Sequence, residues 1–330
     1  MKSSIIKLSL LLACVVNVNA QIKISNFGNY ELKNGEVLQN TRIGYQTYGK
    51  LNTNRDNTIL FATWYAGTGE DLKPYIGRES MLDTTKYHVV VVEALGNGVS
   101  SSPTNTSVEN GIKFPEFSIE DMVDLQHKLL TEILDIDHLY AVTGISMGGM
   151  QTYQWMASYP DFFDKAIPIV GIPELSTYEK LNFEIFKYLL DQSAKSDAGD
   201  ATFLMMEYSL GLTPEYFHDL DDSTEKFFKD VIEEAKEFDP NNLLSQMLAI
   251  SNFDPYEVLK RKGAKCYADV FKGEALIIYS GTDNLLSPSA NVKTSQELNA
   301  QSLDLNSKCG HYAFSCDLQE ISEAVNTFLN

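Results

Sequence analysis

Long apolar runs are missing from this chain of 330 residues once its first twenty are passed. A helix that crosses a bilayer needs roughly 20 consecutive apolar residues, so no membrane span is expected. Basic residues are scarce too: 26 Lys and Arg stand against 45 Asp and Glu, a net charge of −19. That balance repels phosphate backbones and argues against nucleic acid as a partner. Of the four cysteines, Cys266, Cys309 and Cys316 have no second Cys-His pair nearby, and their spacing fits no zinc pattern. Internal repeats, low-complexity tracts and long linkers are absent as well, which favours one compact fold carrying an insertion. Nothing in the text calls for a cofactor.

Residues 1–20 stand apart. Lys2 and Lys7 precede a small-and-apolar run from 8 to 16, and Val18-Asn19-Ala20 places small residues before a cut ahead of Gln21. This is the layout of a cleavable secretory signal, so the protein is expected to be exported, to a periplasm or beyond. Leu11-Leu12-Ala13-Cys14 loosely resembles a lipoprotein processing site. Its second leucine and the lack of a polar linker after Cys14 put lipid anchoring second. Export permits a disulfide. A Cys309–Cys316 bridge, a bridge to Cys266, and three free thiols all remain open.

Short strands with Gly and Asn turns are expected over 22–49. Continuous apolar strands follow at 58–64 (TILFATW), 87–95, 139–144 (LYAVTG) and 166–171, with helices over 119–134 and 147–159 between them. Strands apolar on both faces and separated by helices describe an α/β fold, a mostly parallel sheet with helices on both sides. Between 172 and 265 the text turns helical, with scattered acids, aromatics and methionines. Strands resume at 275–279 and near 303–305, before a last helix over 318–329. We therefore expect a core formed by 21–171 and 266–330, and a helical lid inserted as 172–265 over the sheet end where ligands bind. Lid methionines and aromatics are more often helix packing than ligand contacts.

Gly144-Ile145-Ser146-Met147-Gly148 is a G-x-S-x-G between a buried strand and a helix. A serine on such a sharp turn has strained backbone angles, needs small neighbours, and projects above the sheet at the positive end of the next helix. This placement is that of the α/β-hydrolase fold. An ordinary Gly-Ser turn is the alternative. A serine nucleophile requires a base and a group that orients it, in the chain order Ser, acid, His. Among five histidines, His88, His127, His138, His218 and His311, only His311 follows the last strand, beside Gly310. Asp283 ends the turn after the penultimate strand and is expected to fix the tautomer of His311. Glu274, ahead of that strand, is placed worse. Two N–H donors should hold an oxyanion. Met147, the residue after the serine, supplies one, and Tyr65, in the Gly-containing loop 63–69, is our choice for the second.

Several segments together resemble homoserine O-acetyltransferase and its relatives. They are Ile43-Gly44-Tyr45-Gln46-Thr47-Tyr48-Gly49, Leu95-Gly96-Asn97-Gly98 with Ser101-Ser102-Pro103, Phe114-Pro115 leading to Ile119 and Asp121, Ser146-Met147-Gly148-Gly149-Met150-Gln151 with Trp155, and Gly310-His311 before Ala313-Phe314. The likeness covers most of the mature chain and is weakest in the lid. It implies an acyl-serine mechanism with Ser146, Asp283 and His311 in the family's roles. Three departures bear on substrate. The family's His-x-Leu-Thr-Gly segment is replaced by Thr63-Trp64-Tyr65-Ala66-Gly67, its aspartate after the histidine by Tyr312, and the arginine expected early in the lid is missing from 173–186. Losing both charged partners of an amino acid makes homoserine a poor ligand. Export argues the same way, since acetyl-CoA is a cytoplasmic donor.

The expected activity is hydrolysis of a small ester or other acyl compound. An O-acyltransferase with another acceptor or donor is the alternative, and a non-catalytic binding protein on the same fold is a third reading. The oligomeric state, including a homodimer, stays open.

Overall fold

The computed structural model describes residues 20–106, 113–193, 199–220 and 223–330. The expected signal segment and Cys14 lie outside them. The chain opens with the strands β1 (Lys23–Glu31), β2 (Val37–Tyr48) and β3 (Thr58–Ala62), a two-residue pair β4 (Ile76–Gly77) and β5 (Leu82–Asp83), and β6 (His88–Val92). Helix α1 (Ile119–Lys128), β7 (Leu139–Ile145), α2 (Met147–Ser158) and β8 (Phe163–Ile169) complete its first half. Then come α3 (Thr177–Ser193), α4 (Gly199–Gly211), α5 (Pro214–Asp219), α6 (Thr224–Ala235), α7 (Pro240–Ser251), α8 (Pro255–Arg261) and α9 (Tyr267–Val270). The end is β9 (Glu274–Tyr279), α10 (Ser289–Leu298), β10 (Gln301–Asp304), α11 (Ala313–Cys316) and α12 (Leu318–Leu329).

Eight strands form one sheet in the order β1-β2-β6-β3-β7-β8-β9-β10. β2 is antiparallel to both β1 and β6, and every pair from β6 to β10 is parallel. Alternation along the strands divides the core. Ile59, Phe61, Val89, Val91 and Ala141 face Ile321, Val325 and Phe328 of α12, while Leu60, Val90, Val92 and Val142 face Val123 and Trp155 of α1 and α2. Successive side chains of a strand point to opposite faces, so the stretches buried on both sides must be apolar, as ILFA of β3 and VVVV of β6 are.

Boundaries moved where local chemistry intervened. Instead of one α-helix over 119–134, α1 starts on a capping box between Ser118 and Asp121 and ends at Lys128. Residues Leu129–Ile133 wind into a wider π-helical turn. The strand expected at 166–171 runs Phe163–Ile169, because Val170 takes φ +42 and leaves the extended region. Between β8 and β9 the described residues contain helices and no strand. In this block α3 packs on α4 and α7, and α4 on α6.

Candidate active site

Ser146 occupies the turn from β7 to α2. Its φ of 55 and ψ of −116 lie outside the ordinary regions for a side-chain-bearing residue. Its N–H donates to Ile169 O at 2.8 Å and its carbonyl accepts from Met150 N–H at 3.0 Å, which lock the turn from both sides. The flanking glycines are there for space. A Cβ at Gly144 would lie 2.2 Å from the Gly148 backbone, and one at Gly148 would lie 2.5 Å from Ala62 O. The hydroxyl stands at the start of α2, where the Met147 N–H has no partner within the helix.

From that hydroxyl a chain of hydrogen bonds runs inward. Ser146 Oγ is 2.8 Å from His311 Nε2, and His311 Nδ1 is 2.7 Å from Asp283 Oδ2. The imidazole and carboxylate are almost fully buried, at 3% and 5% exposure, so neither is free to reorient into water. The other oxygen of Asp283 accepts from the backbone N–H groups of Leu285 and Leu286, at 2.9 and 2.8 Å. The carboxylate is thereby fixed with one oxygen on the backbone and one on the base. Burial disfavours a charged imidazole at His311. The charge and hydrogen bond of Asp283, with help from Glu207, outweigh it and raise its pKa above the ordinary value. The arrangement can draw a proton from the serine hydroxyl and hold the resulting imidazolium.

The loop that carries His311 is pinned. Gly310 takes φ +56 with Gly211 O only 2.4 Å from where a Cβ would stand, so glycine is required on both counts. A disulfide joins Cys309 to Cys316 across the base, and Cys266 is free. Of the alternatives left open by the sequence, two ways of bridging and three free thiols, the short bridge around His311 is the one formed. The remaining histidines lie elsewhere. His127 stacks on Tyr159 at 4.0 Å, His138 pairs with Asp164, His88 bonds Thr58, and His218 is exposed.

A small cavity of about 40 Å³ opens onto Ser146. Tyr65 and Met147 line it with Met150, aromatic rings of the helical block (Phe183, Phe186 and Phe203), and Leu285 and Leu286 beside Asp283. Several apolar residues of the helices after β8 are thus wall, beyond mutual packing. The loop bearing Tyr65 is held from three sides. Ala66 N–H donates to Gln246 of α7 at 2.8 Å, the Tyr65 hydroxyl to Leu243 O at 3.1 Å, and Gly69 N–H to the Glu93 carboxylate at 2.9 and 3.0 Å.

Two acids that matter here were not singled out from the sequence. Glu93 ends the run of valines in β6, 1% exposed, and burial, opposed by the Gly69 and Asn97 donors, pushes its pKa up to about 7. Glu207 is the lone acid in the largely apolar stretch 201–211 of α4, and it lines the cavity. Burial pushes its pKa up to about 7 as well. The available signal was a single carboxylate inside an otherwise apolar segment, which costs free energy and so needs a reason. Tyr312, expected only as a substitute for the family's aspartate, lies between Tyr208 and Phe314 with its hydroxyl 3.3 Å from Glu207 Oε1. Among the described residues no cluster of three or more His, Cys, Asp or Glu could hold a metal, and no helix is long and apolar enough to cross a membrane.

A family model described as alpha/beta hydrolase fold matches residues 64–315. An ethyl acetate hydrolase of Pseudomonas veronii is 39% identical over 165 residues, covering 49% of this chain and 47% of that protein. The chain therefore spans about half the length of that relative. A homoserine O-acetyltransferase of Methanohalophilus mahii is 30% identical over 353 residues, 91% of this chain and 70% of that protein. Among solved structures, the acetyl esterase MekB superposes with a TM-score of 0.85 at 27% identity, covering 94% of this chain and 95% of that one. With the serine turn, the sheet order and these matches together, the chain belongs to the alpha/beta hydrolase family, in the group that includes the homoserine O-acetyltransferases.

Proposed function

We propose that this protein hydrolyses small esters, acetyl esters first among them, through an acyl-serine intermediate. The observation that carries the reading is the hydrogen-bond chain Ser146–His311–Asp283 ending in a small apolar cavity. Ser146 Oγ attacks the ester carbonyl carbon while His311 Nε2 takes its proton. The N–H groups of Met147 and Tyr65 receive the oxyanion, and His311 returns the proton to the departing alcohol. Water, activated by the same imidazole, then releases the acid. A water needs roughly 10–15 Å³ of such space, so a cavity of about 40 Å³ holds only a few heavy atoms and suits a small ester. The names of the Pseudomonas veronii relative and of MekB support the same substrate class.

Transfer of the acyl group to an alcohol instead of water is the second reading, favoured by the long match to a homoserine O-acetyltransferase. Both share the acyl-enzyme, so the test must follow its fate. Purified protein is given p-nitrophenyl esters from acetate to octanoate, with and without added alcohols. Acetate should be preferred over octanoate by at least about tenfold, Ser146→Ala should lower kcat by several orders of magnitude, and Asp283→Asn should cost on the order of 10⁴. An acceptor that captures the acyl group ahead of water would replace hydrolysis by transfer, and full activity in Ser146→Ala would end both readings. Export of the protein is also part of the proposal: the basic and apolar leader supports it, and the Cys309–Cys316 bridge suits an oxidising compartment.

A further inference from the structure

Among the described residues Glu207 is the only charged side chain lining the cavity at Ser146, and no Lys or Arg lines it. It lies on one face of α4 between Phe203, one turn before, which is part of the apolar wall, and Gly211, one turn after. A Cβ at Gly211 would stand 2.6 Å from the Tyr312 ring and 3.6 Å from His311 Cβ, so this end of α4 abuts the base. The carboxylate therefore sits on the His311 side of the cavity. Its one hydrogen-bond partner among the described residues is the Tyr312 hydroxyl, at a long 3.3 Å to Oε1. A carboxyl group accepts at several lone pairs, so Oε2 retains capacity that no described residue on this wall satisfies.

If the site cleaves esters as proposed above, the half of the substrate next to His311 is fixed by the chemistry. The imidazolium must hand its proton to the alcohol oxygen, so the alcohol portion lies against His311 and within reach of Glu207. A plain alkyl group there would bury the carboxylate against carbon. A hydrogen-bond donor would pair with it. Sites built around such a polar group discriminate strongly against analogues that leave it unpaired. We propose that Glu207 makes this site selective for esters whose alcohol portion carries a hydrogen-bond donor, a hydroxyl or a protonated amine, about two carbons from the ester oxygen. Glu207 acts on specificity and leaves the bond-making steps to Ser146 and His311.

Two pairs of acetyl esters matched in shape test this at pH 8: 2-hydroxyethyl against propyl acetate, and 2-(dimethylamino)ethyl against 3-methylbutyl acetate. In the wild-type protein at least one donor ester should exceed its apolar partner in kcat/KM by about tenfold or more. The pair that responds identifies hydroxyl or amine. In Glu207→Leu that ratio should fall to about one. Should this variant not fold, Glu207→Gln keeps the shape and removes the charge, and the amine preference should vanish while a hydroxyl preference should shrink. Wild-type ratios near one in both pairs, or a preference that survives in Glu207→Leu, overturn the assignment. Ser146-dependent turnover of the two alkyl esters reports on ester cleavage separately. Turnover without discrimination removes only the role of Glu207, whereas no turnover of any ester removes the hydrolase reading and this inference with it.

Discussion

Glu93 should make the protein less stable as pH rises, and replacing it should abolish that component. Its carboxylate is 1% exposed at the end of β6, and its hydrogen-bond donors are the Gly69 N–H and, at 2.7 Å, the Asn97 amide. Burial outweighs these donors, and the like charges of Asp71 and Glu70 add to it, so the pKa rises from 4.5 to about 7. In the unfolded chain the group ionises first. Between the two pKa values the native state holds a proton that the unfolded state has lost, and stability falls as pH increases through that window. A gap of roughly 2.5 units at 1.36 kcal/mol each corresponds to about 3 kcal/mol in full, of which about 2 to 3 kcal/mol is lost between pH 5 and pH 8. Glu93→Gln removes this titration. Its stability relative to wild type should therefore improve by about 2 kcal/mol on going from pH 5 to pH 8, whatever its offset at either pH. Urea unfolding followed by fluorescence of Trp64 and Trp155, at both pH values and with m unchanged, measures the difference. Because Glu93 also holds the loop that bears Tyr65, the variant's kcat should drop at both pH values. A stability difference that does not change with pH would refute the reasoning, since the carboxylate would then titrate as if in water.

Other consequences follow from the same geometry. His311 must be neutral to accept the serine proton and its pKa is raised, so kcat/KM should fall as pH decreases through a value above the usual 6.5. Glu207→Gln removes one of the charges that raise it, so a pH–rate profile of that variant should show the acid limb at lower pH. The Cys309–Cys316 bridge closes a loop with a sequence separation of 7 around the base. Replacing both cysteines by serine should cost about 2 kcal/mol of stability and lower kcat more than KM. Thermal melts and steady-state kinetics together check this, and a variant with unchanged Tm would show that neighbouring contacts alone hold the loop.

Much of the architecture was legible because the parallel strands are apolar on both faces, a pattern few other structures require. The serine turn was legible for a related reason. Gly144 and Gly148 are demanded by contacts within the turn and with the adjacent strand, so the motif carries its own geometry. His311 and Asp283 followed from chain order, which the topology of the sheet fixes. Boundaries were less legible. The end of β8 at Ile169 depends on a backbone reversal at Val170, and the π-helical turn after α1 on packing that no local pattern announces.

What the sequence determined alone is therefore the set of elements and the order in which reactive side chains appear along them, because local sterics and strand burial act over a few residues. The tertiary structure decided which wall each residue joins. Glu207 lies 61 positions after Ser146 and 104 before His311 in the text, and only the packing of α4 against the Gly310 loop sets its carboxylate beside the base. The disulfide pairing and the grip of Gln246 and Glu93 on the Tyr65 loop were settled in the same way. Contacts between segments far apart in the chain depend on how whole helices dock, and no short stretch of sequence encodes that.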